Sequence, residues 1–223
     1  MKSEIKIVAL SDTHTFHRSV KVPDGDVLVF AGDLMGSGYK HQEVKDFADW
    51  FSNQPHRVKI LVSGNHDRMF ENNLEYCLSK FNNIIYLCNS GCEVDGWKFW
   101  GSPYQPEFCN WAFNVQRGER IKKHWDLIPE DTDILITHGP PYGILDQIVP
   151  GSSENLGCEE LRKIVDKIRP KINIFGHIHG SYGSLATVGT DWQKKPIYYN
   201  VSICNEAYRP VHSPIIIKLY KEL

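Results

Sequence analysis

The chain has no apolar stretch long enough to cross a bilayer or to serve as the core of a secretory signal, because its N-terminal apolar run is interrupted by Lys6 and ends at Leu10. A cytoplasmic protein without membrane association is expected. It also has no excess of either charge. Twenty-five Lys and Arg residues against 27 Asp and Glu leave a formal net charge of −2, which denies it the field that a nonspecific polynucleotide binder needs. The densest basic stretch, Arg162, Lys163, Lys167, Arg169 and Lys171, is interleaved with Leu161, Ile164, Val165 and Ile168 at helical spacing and reads as a solvated helix face. The six cysteines are scattered through a chain too long to depend on disulfides, and no second pair accompanies Cys88 and Cys92, so neither a disulfide framework nor a structural zinc is expected. There is no Ser/Gly/Pro-rich tract, low-complexity run or internal repeat. Residues 1–223 read as one domain, with a 41% hydrophobic fraction that is ample for a core.

Five short polar segments stand out against this background. Ser11-Asp12-Thr13-His14, Gly32-Asp33, Gly64-Asn65-His66-Asp67, Thr137-His138-Gly139 and Gly176-His177-Ile178-His179 follow the apolar runs Ile5 to Leu10, Val27 to Ala31, Val58 to Ser63, Asp133 to Ile136 and Ile172 to Phe175. Length and β-branched content make all five runs buried strands. A polar residue just after a strand is delivered at a fixed edge of a sheet, and several such edges can converge. One such residue is more often a cap or a turn former than a ligand. Here, however, five of the ten histidines fall inside the segments. Together the segments offer two carboxylates, one amide and four imidazoles, a set of O and N donors that suits two divalent ions. Mn²⁺ is the first choice, with Fe, Zn²⁺, Mg²⁺ or Ni²⁺ as alternatives. The spacing in Asp12-Thr13-His14 and in His177-Ile178-His179 predicts an extended backbone that puts both members of each pair on one side.

In that order the blocks resemble the calcineurin-like metallophosphoesterase superfamily, whose pattern runs D-x-H, G-D, G-N-H-D/E, H-G and G-H-x-H. The stretches 101–108, 110–114 and 204–206 look further like a branch of small metallophosphodiesterases described from mammalian brain, and the likeness spans roughly residues 5 to 218. The resemblance implies that Asp12, His14 and His179 hold one ion, that Asn65, His138 and His177 hold the other, and that Asp33 bridges them. It implies in-line attack by a metal-bridging hydroxide on a phosphoester, with His66 as general acid. One position departs from the family. Many members carry an acidic residue three positions after the bridging Asp to orient the general-acid histidine, whereas this chain has Gly36. His66 is therefore expected to lack that orienter, and on an extended segment to point away from its neighbour Asn65 towards the mouth of the site.

Helices are expected over His41 to Asn53, Arg68 to Lys80, Val115 to Trp125 and Asn155 to Ile168, the last stopped by Pro170. Further strands at Ile84 to Leu87, Trp97 to Trp100, Ile197 to Ile203 and Ile215 to Tyr220 bring the strand count to about nine. That is too many for four helices to serve in an alternating barrel. The resemblance implies an α/β (α+β) fold of two packed mixed β-sheets flanked by helices, a four-layer sandwich. For a substrate wall, the aromatic and amide-rich residues Tyr104, Phe108, Asn110, Trp111, Phe113 and Asn114, with Asn205, Tyr208 and Arg209, are the candidates. Aromatics would stack a base and Arg209 would hold a phosphate. Asn65 and His66 would also face the substrate. The resemblance points to a phosphodiesterase for cyclic nucleotides or related small phosphodiesters. The alternatives are a phosphomonoesterase or phosphoprotein phosphatase and a nucleotide-binding protein of low turnover. The expected partner is a small phosphoester, with no extended nucleic acid.

Overall fold

The computed structural model of the chain describes residues 2–186 and 196–222. Thirteen strands are described: β1 Lys2–Leu10, β2 Val27–Ala31, β3 Val58–Val62, β4 Ile85–Tyr86, β5 Ser90–Val94, β6 Trp97–Ser102, β7 Gln105–Pro106, β8 Asn114–Val115, β9 Ile134–Thr137, β10 Ile172–Phe175, β11 Gly183–Ala186, β12 Ile197–Asn200 and β13 Ile215–Glu222. One sheet has the order β13-β1-β2-β3-β4 and the second the order β11-β12-β10-β9-β6-β5, while β7 and β8 pair separately. β1, β2, β3 and β4 run parallel, as do β6, β9, β10 and β12, and antiparallel strands close the edges at β13, β5 and β11.

The two-residue side-chain period of a strand explains the layering. Ile5, Ile7 and Ala9 of β1, with Val27 and Val29 of β2, face Trp97, Phe99, Ile134, Ile136, Ile172 and Ile174 of the other sheet. The alternate residues Val8, Leu10, Leu28 and Phe30 face outward, where Val44, Phe47, Ala48 and Phe51 of helix α1 (His41–Ser52) cover them. These four positions form the i, i+3, i+4, i+7 stripe read from the sequence. On the far side of the second sheet, Leu135, Phe175 and Tyr198 pack under helix α4 (Glu119–Trp125) and helix α5 (Glu159–Ile168) through Ile121, Trp125, Leu161 and Val165. The result is the expected helix–sheet–sheet–helix sandwich. The sheets have four more strands than expected, β5, β7, β8 and β11, which are short or sit at edges.

Three helices differ from the sequence reading. The segment Arg68 to Lys80 is split into α2 (Arg68–Asn72) and α3 (Leu74–Leu78), because Asn73 leaves helical geometry and accepts the Tyr76 N–H at the start of the second piece. The helix expected from Val115 starts only at Glu119, since Val115 belongs to β8 and Gly118 has φ 75°. The helix expected from Asn155 begins at Glu159, because the amides before it are engaged elsewhere: Leu156 N–H donates to Asp146 O, Gly157 N–H to the Asp146 carboxylate and Cys158 N–H to Pro140 O.

Candidate metal centre

All five polar segments lie at the C-terminal ends of parallel strands: those after β1, β2 and β3 belong to the first sheet, those after β9 and β10 to the second. Their side chains meet at the seam between the sheets. The donor atoms of Asp12, His14 and His179 form one group, and those of Asp33, His138 and His177 another. Within each, the atoms lie within 4.8 Å of one another. Asp33 also groups with His14 and His66, so its carboxylate reaches both clusters. The Oδ1 of Asn65 lies 2.7 Å from His138 Nε2 and completes the second group.

Three of the four histidines among the ligand candidates are oriented by the main chain. His14 Nδ1 faces Met35 O at 3.2 Å, His138 Nδ1 faces Ala31 O at 2.9 Å, and His179 Nδ1 faces Asn205 O at 3.1 Å. Each carbonyl accepts the Nδ1 proton and so aims Nε2 inward, the atom that binds a metal once it has lost its own proton. The inward atoms are crowded. His14 Nε2 and His179 Nε2 are 3.2 Å apart, and His138 Nε2 faces another acceptor on Asn65. Acceptors so close repel unless a positive charge lies among them, so this donor set fits divalent cations. Protonation is the other way to supply that charge, and the titration shifts reflect it. Burial disfavours the charged form of His138, yet Asp33 beside it outweighs burial and raises the pKa to about 9. Against the same penalty, His179 is raised to about 9 by its hydrogen bond and charge pairing with Asp12. His14 is lowered to about 4 by burial, and His177 to about 3 by burial and by the charge on His138. Asp12 and Asp33 are buried, which alone would raise them, but His179 and His138 respectively hold them well below the usual carboxylate range.

A second layer fixes the carboxylates. Asp12 Oδ2 receives hydrogen bonds from Ser11 Oγ, from Ser202 Oγ at 2.9 Å and from His177 N–H at 3.0 Å. The carboxylate of Asp67 accepts from the amides of Asp33, Met35 and Gly64 at 2.9, 3.0 and 2.8 Å, tying the loop after β2 to the loop after β3. Gly64 must be glycine, because a Cβ there would collide with the Asp33 carboxylate and His138.

The backbone differs from the extended geometry read from the spacing. Asp12, His14, Asp33 and His177 have φ of 51°, 41°, 61° and 69°, in the left-handed region that non-glycine residues enter at a cost of about 1 kcal/mol or more each. The paired side chains converge through tight turns, not through strand alternation. Part of this cost is offset by amides that bind across the neighbouring loop: Asp12 N–H donates to Gly32 O, His14 N–H to Asp33 O and Thr15 N–H to Leu34 O.

His66 faces the cavity and also lies against the donor cluster. It is buried, its ring meets His14 edge-on with centroids 4.6 Å apart, and it stacks on Trp111 at 4.1 Å. It does not lack an orienter, since its Nδ1 is hydrogen-bonded to the carbonyl of Gly36 itself.

A cavity of about 490 Å³ opens over the clusters. Asp33, Asn65, His66, His177 and His179 form its floor, and Trp111, Phe108, Tyr208, Ile148, Leu156 and Pro106 its walls. Phe108 and Tyr208 are 63% and 46% exposed, so their faces are open to a ligand. Four other wall candidates lie elsewhere. Asn110 offers its carbonyl to Arg68, Phe113 is buried in the core, Tyr104 packs at a tilt against His124, and Asn114 ties Phe108 and Cys109 through their carbonyls. Asn205 orients His179 and closes a turn by accepting the Ala207 and Arg209 amides, both at 3.0 Å, and neither Asn205 nor the exposed Arg209 lines the cavity. The sequence reading missed four charged lining residues, Glu107, Glu154, Glu206 and Arg117. The Arg117 guanidinium is committed to Gly157 O, Leu156 O and Glu159. Among the described residues, no hydrogen bond or ion pair engages the carboxylates of Glu107 and Glu154, while Glu206 accepts from Gly180 N–H at 2.7 Å. Glu107 and Glu206 fall within the stretches 101–108 and 204–206 that carry the family likeness, but nothing in those stretches gives either one a role at the rim, and no motif marks Arg117 or Glu154.

Comparison with known proteins agrees with this geometry. The family described as calcineurin-like phosphoesterase matches residues 5–181. The human protein named Metallophosphoesterase domain-containing protein 1 is 39% identical over 238 residues, covering 96% of this chain and 71% of the relative. UPF0046 protein K07C11.7 of Caenorhabditis elegans is 34% identical, covering 98% of this chain and 76% of the relative. Among solved structures, phosphopantetheinyl hydrolase from Mycobacterium tuberculosis shares the fold with a TM-score of 0.58 at 12% identity, covering 94% of this chain and 95% of that one. The matched span runs from β1 to the turn beyond His179 and holds all seven ligand candidates, and with it this chain belongs to the calcineurin-like phosphoesterase family.

Proposed function

We propose that the chain is a phosphodiesterase that uses two divalent cations, Mn²⁺ first among them, to hydrolyse small phosphodiesters with one negative charge, cyclic or otherwise esterified mononucleotides included. The observation that carries this reading is the inward aim of three imidazole Nε2 atoms, each fixed by a main-chain carbonyl, onto two buried carboxylates at the floor of a cavity. Asp12, His14 and His179 would hold one ion, Asn65, His138 and His177 the other, with Asp33 shared. When bound, such a pair supplies Lewis acidity towards the phosphoryl group and acidifies water near neutral pH.

The remaining work falls to the protein. His66 sits on the cavity floor with Nδ1 anchored, so its Nε2 is the atom placed to protonate the leaving oxygen. Stacking on Trp111 restricts its ring to one plane. A diester brings a second organic group that needs a wall, and Phe108, Trp111 and Tyr208 provide aromatic faces for it. The three rim glutamates and the committed Arg117 disfavour a second phosphate. All six cysteines are free thiols, which supports a reducing, cytoplasmic setting. Among the described residues no helix is long and apolar enough to cross a membrane.

The test is turnover of bis-p-nitrophenyl phosphate against p-nitrophenyl phosphate by the Mn²⁺-reconstituted protein. The diester should be preferred by about tenfold or more in kcat/KM. Preference for the monoester would make the protein a phosphomonoesterase. Mononucleotide binding without turnover of either ester would make it a binding protein.

A further inference from the structure

His66 takes its orientation from a glycine carbonyl, and a glycine carbonyl is only as fixed as the loop that carries it. Two of the hydrogen bonds that hold this loop lie at and next to Gly36. Met35 N–H donates to Asp67 Oδ1 at 3.0 Å, and Gly36 N–H donates to Glu43 Oε2 at 3.0 Å. Glu43 stands in the first turn of α1, three residues after the N-cap Lys40. A glutamate at that position ordinarily turns back to accept its own N-cap amide in a capping box. Glu43 instead reaches out of its helix to Gly36, with a side chain only 14% exposed, while Lys40 Nζ lies 3.4 Å from its other oxygen. The placement also bears on the missing acidic residue. A Cβ built on Gly36 would lie 3.6 and 3.8 Å from the two Glu43 carboxylate oxygens, so an acidic side chain there would meet a like charge.

We infer that Glu43 is a positioning residue for His66: from helix α1 it fixes the Gly36 peptide whose carbonyl sets the plane and tautomer of the imidazole. It does not line the cavity, so it acts only through His66, and the inference rests on the reading of His66 as the acid.

The experiment compares wild type, Glu43→Ala, Glu43→Gln, His66→Ala and the Glu43→Ala/His66→Ala double variant, each loaded with Mn²⁺ and assayed for metal content. Two esters are used, bis-p-nitrophenyl phosphate with a good leaving group and diphenyl phosphate with a poor one. Glu43→Ala should keep both ions and its KM, and lose about tenfold more kcat on diphenyl phosphate than on the nitrophenyl ester. Glu43→Gln, which retains an oxygen to accept Gly36 N–H, should return to within about twofold of wild type, and Glu43→Ala should add nothing to His66→Ala. Equal losses on the two esters, no loss on either, or a double variant slower than His66→Ala by the full Glu43→Ala factor would each overturn the inference. A His66→Ala variant with no leaving-group-dependent loss would instead remove the acid role itself, which separates the two failures. Should Glu43→Ala not fold, Glu43→Asp, one methylene too short to reach Gly36, carries the same comparison.

Discussion

Replacing Asp33 by Asn removes one negative charge while keeping the side-chain shape, and the structure gives a gauge for the consequence. His138 is that gauge. Its Nε2 lies 3.4 Å from Asp33 Oδ1, and despite burial its pKa is raised from 6.5 to about 9, with Asp33 the largest favourable contributor. A histidine raised against the full penalty of burial shows that this spot favours positive charge, and that Asp33 is the main source of the preference. A dication senses the same carboxylate with twice the charge, and Asp33 reaches both clusters. Asp33→Asn should therefore weaken each cation by about a hundredfold or more and abolish diester hydrolysis. The amide can still accept the His66 N–H that Asp33 Oδ1 accepts at 2.7 Å, so the fold should survive. Calorimetric titration of Mn²⁺ into chelator-stripped protein reads the affinity, elemental analysis after desalting reads occupancy, and circular dichroism controls for folding. Two tightly held ions in the folded variant, with affinities within about threefold of wild type, would refute the bridging assignment.

Metal uptake should also release protons. His138 and His179 both titrate near 9 in the metal-free chain, so at pH 7 both are protonated and cations must displace about two protons, with apparent affinity rising as pH climbs towards 9. Titrations in buffers of differing ionisation enthalpy would count them, and a count of zero would contradict the assignment. Trp111→Ala, by removing an aromatic wall of the cavity, should weaken mononucleotide binding by about 1 to 3 kcal/mol without loss of metal, whereas Arg209→Ala, outside the lining, should leave affinity within about twofold. Equal effects of the two substitutions in equilibrium binding would disprove that division. Finally, thymidine 5′-(p-nitrophenyl phosphate) should be a better substrate than its 3′-phosphorylated counterpart, by about tenfold in kcat/KM, because the added phosphate meets Glu107, Glu154 and Glu206 with no uncommitted cation among the lining residues. Equal rates would show that the rim does not read charge.

Much of the site was legible because each ligand candidate follows a buried strand, and strands declare themselves through β-branched runs. The layering was legible for a related reason, since Val44, Phe47, Ala48 and Phe51 form one stripe that a sheet must cover. What escaped the sequence is carried by the main chain. Nothing in the letters at 12, 14, 33 and 177 announces left-handed φ, and the Gly36 carbonyl that replaces the acidic orienter has no side chain to notice. The substrate wall was blurred because an aromatic residue has the same composition signal in a core and on a rim: Phe113 is buried, Phe108 is open, and only four residues separate them. Helix starts moved for local reasons, as at Asn73, Gly118 and the amides bound by Asp146, where a competing partner outbids the helix.

β13 comes from the far end of the sequence and lies antiparallel to β1, with Ile5 opposite Leu219 and Ile7 opposite Ile217. During synthesis β1 emerges well before β13, and its outer edge stays unpaired until β13 has left the ribosome. The segment carrying Asp12 and His14 waits with it, since His179 and Ser202, which close on Asp12, also arrive late. Ligands of both clusters come from chain segments more than a hundred residues apart, so little of the centre can assemble before the segment carrying His177 and His179 has emerged. Slow folding limited by long-range pairing follows, and divalent ions present during refolding should speed the final step more than the first.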